Sequence, residues 1–210
     1  DPDRPGALAG SAVSEQKRLD RVPGGTNLAR PQDEARLATL KDALGYQPGV
    51  VIQEFFGATD QPRLNIRGSG IQSNPMNRGI TLLQDGLPLN EADGSFVIGT
   101  LEPRDSALIS VRRGGNAITP GATTLGGELD FQSLTGLDEG GHVRVEAGSF
   151  GRRAVQVAKG FQSGAWDAHL SASGDTFDGY RHHSDSERTA LRANVGYRDG
   201  NVENRTYLSW

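Results

Sequence analysis

From residue 141 onward, apolar and polar side chains alternate with a period of two. Val143, Val145 and Ala147 alternate with Arg144 and Glu146, and Trp166, Ala168, Leu170, Ala172 and Gly174 with Asp167, His169, Ser171, Ser173 and Asp175. Thr189, Leu191, Ala193, Val195 and Tyr197 alternate with Arg188, Arg192, Asn194 and Arg198, and Thr206, Leu208 and Trp210 with Arg205, Tyr207 and Ser209. A segment over 153–161 alternates less regularly. Successive side chains of a strand point to opposite faces, so the pattern predicts five consecutive strands of roughly ten residues each. Their connections differ in length: Gln162-Ser163-Gly164 and Asp199-Gly200-Asn201 are tight, whereas FDGYRHHSDS (177–186) is long and polar. Short turns at one end and longer loops at the other suit the wall of a transmembrane β-barrel. Half of a soluble β-sandwich carries the same period with the polar face in water. Strand length, loop asymmetry and aromatics near strand ends (Phe150, Trp166, Tyr197, Trp210) favour the barrel. Five strands close no barrel, since about eight are the minimum, so the chain is expected to be part of a longer protein.

The first half has another texture. Residues 1–30 are polar and rich in Gly and Pro, which predicts a disordered arm. Pro31 suits a first helical position. Asp33 and Glu34 suit a helix N-terminus, and Leu37, Leu40, Ala43 and Leu44 recur at helical spacing before Gly45 and Pro48-Gly49, which predicts one helix. Short strands are predicted at 50–53, 63–67, 108–111 and 129–131. Ile80-Thr81-Leu82-Leu83-Gln84 runs into Asp85-Gly86 and returns through Leu87-Pro88-Leu89, a hairpin signal. Pro103 opens a short helical turn. A small α+β domain over 31–136 follows, with barrel strands over 141–210.

Composition excludes more than it assigns. The 210 residues hold 29 glycines, about twice the usual share, and a net charge of −4 with scattered cations, so no nucleic-acid footprint appears. There is no cysteine, hence no disulfide or thiolate site. No apolar run nears the ~18 residues of a membrane helix. No signal peptide is visible, and the Asp1-Pro2-Asp3 start suits a processed or trimmed chain. GGNAITPG lacks a following Gly-Lys-Ser/Thr, and no nucleophile elbow is present, so the reading is not an enzyme. His182-His183 with Asp185 is read as a solvated loop, and Asp85, Glu91 and Asp93 lack the spacing of a calcium loop.

Four stretches, LKDALGYQPGVVIQ (40–53), LNIRGSG (64–70), ITLLQDGLPLNEADG (80–94) and SVRRGGNAITPGATTLGGELDF (110–131), occur in an order and spacing that resemble the TonB-dependent outer-membrane receptors. The resemblance covers about residues 20–210 and is nearest to receptors for iron chelates. Where that family often carries an aromatic before a glycine, this chain has Pro120-Gly121.

The resemblance implies an α+β plug domain followed by the N-terminal strands of a large antiparallel transmembrane β-barrel, in such proteins one of ~22 strands with a plugged lumen. It implies active transport of a scarce ligand across the bacterial outer membrane, with a ferric siderophore or similar iron chelate as cargo. Cobalamin, another metal complex or a saccharide are alternatives within the same architecture, and a soluble β-rich binding module is the alternative outside it. Arg67 and Arg113 would contact barrel carboxylates. The loops 69–78 and 90–96 and the turn at Arg104 would face the ligand with Gln72, Asn74, Asn77, Arg78, Asn90 and Arg104. The implied partners are the TonB protein, through the arm around Ala7–Val13, the chelate, and outer-membrane lipid, with no cofactor.

Overall fold

The computed structural model describes residues 12–22, 24–54, 62–69, 78–114, 126–138, 140–200 and 202–210. Two compact units result, one closing with Ser133 and the other running from Leu134 to Trp210.

The first unit is built on a five-stranded sheet and a two-stranded ribbon. Helix α1 (Ala12–Leu19) precedes β1 (Gly25–Ala29). Then come α2 (Leu40–Leu44), β2 (Val50–Gln53), β3 (Arg63–Ile66), β4 (Ile80–Gln84), β5 (Leu87–Pro88), β6 (Ser106–Arg113) and β7 (Gly127–Ser133). The sheet order is β1-β6-β7-β4-β5, with β2 and β3 paired separately. All pairs are antiparallel except β4–β7. The Asp85-Gly86 turn between β4 and β5 has φ of 51° and 79°, the left-handed pair that a two-residue hairpin requires.

Two expectations are corrected here. The arm read as disordered over 1–30 holds α1 and β1 among its described residues. Leu19 is fully buried, and β1 registers on β6 from Gly25↔Arg113 to Ala29↔Ile109. Backbone pairing needs no apolar side chains, so composition hid it. The single helix expected from Pro31 is instead a 3-10 turn (Pro31–Asp33) and the short α2. A capping box starts α2 late: Asp42 N–H donates to Thr39 Oγ1 (3.3 Å) and Thr39 N–H to Asp42 Oδ2 (2.9 Å). Gly45 ends it in the right-handed region, and Gly49 (φ 75°) makes the left-handed turn into β2.

One face of the main sheet is apolar. Ile109 and Val111 of β6, Leu129 and Phe131 of β7, and Ile80 and Leu82 of β4 pack with Leu37, Leu40, Leu44, Ile52, Leu64 and Ile66. The other face of β6 and β7 presents Ser110, Glu128, Asp130 and Gln132, every one buried.

The second unit is an antiparallel meander, β8 (Gly141–Ala147), β9 (Arg153–Ser163), β10 (Trp166–Phe177), β11 (Ser186–Asp199) and β12 (Val202–Ser209), paired in sequence order. Its burial is inverted relative to a water-soluble sheet. Gln156, Asp167, His169, Ser171, Ser173, Asp175 and Asn194 are buried, while Val143, Val145, Val155, Val157, Trp166, Leu170, Leu191 and Leu208 are exposed. Burying a Val or Leu side chain is worth ~1.5–3 kcal/mol in water, so a soluble sandwich would bury the other face. Lipid as the outer solvent reverses that preference. Trp166 lies against Tyr197 near the tight turns (4.7 Å between centroids), and Phe150 against Tyr180 at the long-loop end (6.2 Å). Trp166 to Phe177 spans about 36 Å along the strand. A tilt near 45° projects this to roughly 26 Å, matching the ~25 Å apolar band of outer-membrane barrels.

Candidate functional site

One end of the first unit's sheet gathers the starts of β1, β4 and β7 and the end of β6. Gly114 N–H donates to Gly126 O (2.7 Å) and Gly126 N–H to Gly79 O (2.9 Å), closing this end. Arg67, Arg78 and Arg113 all lie there.

Arg113 is half-buried. Its guanidinium runs between Gly25 and Gly49, donating from Nε to Gly25 O (3.1 Å) and from Nη1 to Pro48 O. A Cβ on Gly25 would stand 2.6 Å from Arg113 Nε and would push the guanidinium off this path. Arg113 thus straps β1 to the turn before β2. Arg67 is exposed and has φ 53°, with its N–H donating to Gly49 O (3.4 Å) and its guanidinium over the Cα of Gly114. The turn behind it is built by Asn65, whose Oδ1 accepts from Gly68 N–H (2.8 Å), and by Ser69, whose Oγ donates to Ile66 O (2.8 Å).

Of the six residues expected to meet a ligand, Gln72, Asn74 and Asn77 lie outside the described residues. Arg78 is half-exposed and ion-paired with Asp93. Asp93 is held down at about 2, first by hydrogen bonds from the Ser95 hydroxyl (2.6 Å) and N–H (2.9 Å) and then by Arg78. Sequence reasoning had not assigned Asp93 a role.

Asn90 and Arg104 do something other than present free donors. Asn90 Oδ1 accepts from Leu82 N–H (2.8 Å), and its Nδ2 donates to Ile80 O (2.9 Å) and Gly94 O (3.1 Å). It stitches the segment after β5 back along β4, which carries Asp93 to Arg78. Arg104 sits at the opposite end of the sheet and is 1% exposed. It forks onto Glu102 through Nε–Oε1 (2.9 Å) and Nη2–Oε2 (3.0 Å), while Gln32 Nε2 donates to Arg104 O (2.8 Å). The expected outward donor at Arg104 is a buried structural pair.

The polar face of the same sheet carries a second cluster. Glu15 of α1 accepts from Ser110 Oγ (2.5 Å) and Arg18 Nε (2.7 Å), and Arg112 pairs with Glu128. Burial alone would raise the Glu15 carboxyl, but the bonds from Arg18 and Ser110 outweigh it and hold it low. Asp130, beside them, is pushed up to about 6 by burial, opposed by the Gly86 N–H (3.1 Å) and reinforced by Asp85, Glu128 and Glu15.

The model of the TonB-dependent Receptor Plug Domain matches residues 22–128. Among solved structures, the chain is similar to the unliganded ferric citrate transporter FecA: 20% identity, TM-score 0.69, covering 93% of this chain and 32% of that one. It is similar to the pyoverdine outer-membrane receptor FpvA of Pseudomonas aeruginosa (15%, 0.64, 89% and 27%) and to the copper transporter OprC (14%, 0.64, 84% and 28%). The chain thus spans a third or less of the length of these solved chains.

Proposed function

We propose, from the premise that the chain belongs to the family of the TonB-dependent Receptor Plug Domain, that its parent protein is an outer-membrane transporter, and not an enzyme, which imports a ferric siderophore or similar iron chelate by TonB-dependent active transport. The observation that carries the reading is one continuous chain holding the plug match at 22–128 and, after it, a sheet with its apolar side chains outward. A plug alone would suit many folds, but a plug followed by an inside-out wall suits a gated pore.

In this reading the ligand meets Arg78 and the loops 69–78 and 90–96, with Gln72, Asn74 and Asn77 as further donors. A chelate rich in carboxylate or hydroxamate oxygens competes with Asp93 for the Arg78 guanidinium, since charge-assisted contacts of this kind are strong yet exchangeable. Asn90 positions the 90–96 loop, and Arg104 drops out as a contact. Arg67, the exposed arginine, takes the contact with barrel carboxylates, while Arg113 ties β1 to the plug. Force applied by TonB on the arm before α1 then loosens the plug. Likeness to a copper transporter favours one second reading, in which the cargo is another metal complex.

The test is uptake of radiolabelled iron chelates by iron-starved cells expressing the full-length receptor as wild type or Arg78→Ala. Uptake that disappears without TonB or a proton gradient, and falls at least tenfold in Arg78→Ala, supports the reading. Uptake that survives collapse of the gradient indicates a passive pore. Uptake of copper but of no iron chelate moves the cargo to the second reading.

A further inference from the structure

Between β7 and β8 the chain reads Leu134-Thr135-Gly136-Leu137-Asp138, a stretch short enough to be taken for a slack tether. It is internally closed instead. Thr135 N–H donates to Asp138 Oδ2 (2.5 Å), Leu137 N–H to Thr135 Oγ1 (3.2 Å) and Asp138 N–H to Thr135 O (3.1 Å). Two further backbone groups are taken up by the second unit's own strands. Gly136 N–H donates to Asp167 Oδ1 of β10 (3.1 Å), and Asn194 Nδ2 of β11 donates to Leu134 O (2.8 Å).

Both acceptor and donor are held from below by Arg205 of β12. Its Nη1 and Nη2 fork onto Asp167 Oδ1 (2.9 Å) and Oδ2 (2.8 Å), and Nη1 also reaches Asn194 Oδ1 (2.7 Å). The Arg205 and Asp167 side chains are only 3% and 10% exposed. A bidentate arginine–carboxylate pair fixes orientation as well as charge. Here it turns Asp167 toward one amide and Asn194 toward one carbonyl. Gly136 must be glycine, because a Cβ would overlap Phe161 O and stand 2.5 Å from Ala168 N.

We propose that Asp167, Arg205 and Asn194 form a clamp that fixes residues 134–138 to the barrel strands, so that the plug, when it yields during transport, is displaced from its N-terminal side while its C-terminal tether stays seated. The second half of this statement rests on the transport function proposed above. Two features support the direction. All four amides from Thr135 to Asp138 are hydrogen-bonded, whereas Glu15, which docks α1, is buried but ion-paired to an Arg18 side chain that is 45% exposed. An ion pair with one partner open to water yields at lower cost than a bidentate clamp with both partners buried and a fitted glycine.

The experiment uses the full-length receptor in detergent, with hydrogen exchange read at the Gly136 amide. Wild type should exchange within tenfold of the β10 amides, and Asn194→Ala and Arg205→Ala at least tenfold faster. Arg205→Lys, which keeps the charge but loses the fork, should fall between. If Arg205→Ala fails to assemble, Asn194→Ala, which removes one hydrogen bond to the connector, carries the test alone. A Gly136 amide that exchanges like the 148–152 turn in wild type, or at an unchanged rate in Asn194→Ala, overturns the clamp.

For the functional half, Leu134→Cys and Asn194→Cys are joined by a short bis-maleimide in cells. Uptake within twofold of the unlinked pair supports a seated tether, and uptake lost on linking overturns it. If wild type imports no iron chelate, the transport reading fails, while the exchange rates still decide the clamp.

Discussion

Asp130 makes the first unit's stability depend on pH in a direction opposite to that of most carboxylates. Its side chain is 6% exposed and its carboxyl is pushed up to about 6, whereas an unfolded aspartate titrates near 3.9. The folded state therefore binds more protons than the unfolded one between those values. The stabilisation is complete below the unfolded pKa and is lost as pH rises through about 6. At 1.36 kcal/mol per unit, a difference of about two units amounts to roughly 3 kcal/mol across the window, an upper figure because neighbouring acids titrate with it. Asp130→Asn keeps an oxygen to accept from Gly86 N–H and removes the charge. Urea unfolding of a fragment spanning residues 12–133, at steps from pH 4 to 8, is the assay. Wild type should lose stability from pH 4 to 7, and the variant should lose less and exceed wild type by up to ~3 kcal/mol at pH 7.5. The readout is the difference between the two curves, because Glu15, held low, contributes the opposite slope in both. Parallel curves would refute the argument that burial dominates at Asp130.

Arg104→Ala removes the buried guanidinium that forks onto the buried Glu102 carboxylate, so urea unfolding should show a loss of ~3–5 kcal/mol, while chelate affinity of whatever folds stays within a fewfold of wild type. Leu170→Arg places a charge on the apolar face of β10, at a cost of ~2–4 kcal/mol in lipid, and should block heat-modifiable barrel assembly on gels; Ala154→Ser, on the polar face, should not. Thr39→Ala removes the cap of α2 and should lower the urea midpoint by the equivalent of ~1 kcal/mol.

Much of the fold was legible because its signals are local. The Asp85-Gly86 hairpin follows from two residues that accept positive φ, and the five alternating strands follow from the period of a pleat. The reading of the plug's arginines was less complete. Arg67, Arg78 and Arg113 converge at one sheet end; Arg104 does not, because it precedes β6 whereas Arg113 ends it, and the parallel pairing of β4 with β7 puts Arg78 at the Arg113 end. Parallel register leaves no mark in composition. The helix expected from Pro31 shrank to α2 because Thr39 and Asp42 form a reciprocal cap, a signal that was present in the sequence and outweighed there by helical spacing.

The sequence by itself determined which residues lie on which face of each strand and where the turns fall. These are consequences of backbone geometry acting over a few residues. Only the tertiary structure decided which polar groups meet. Asp167, Asn194 and Arg205 come from three strands and converge on Gly136 and Leu134, and Glu15 reaches Ser110 across 95 positions of sequence. A buried polar group must find its partner wherever the register puts one, and register is set by the packing of the whole sheet rather than by any single segment.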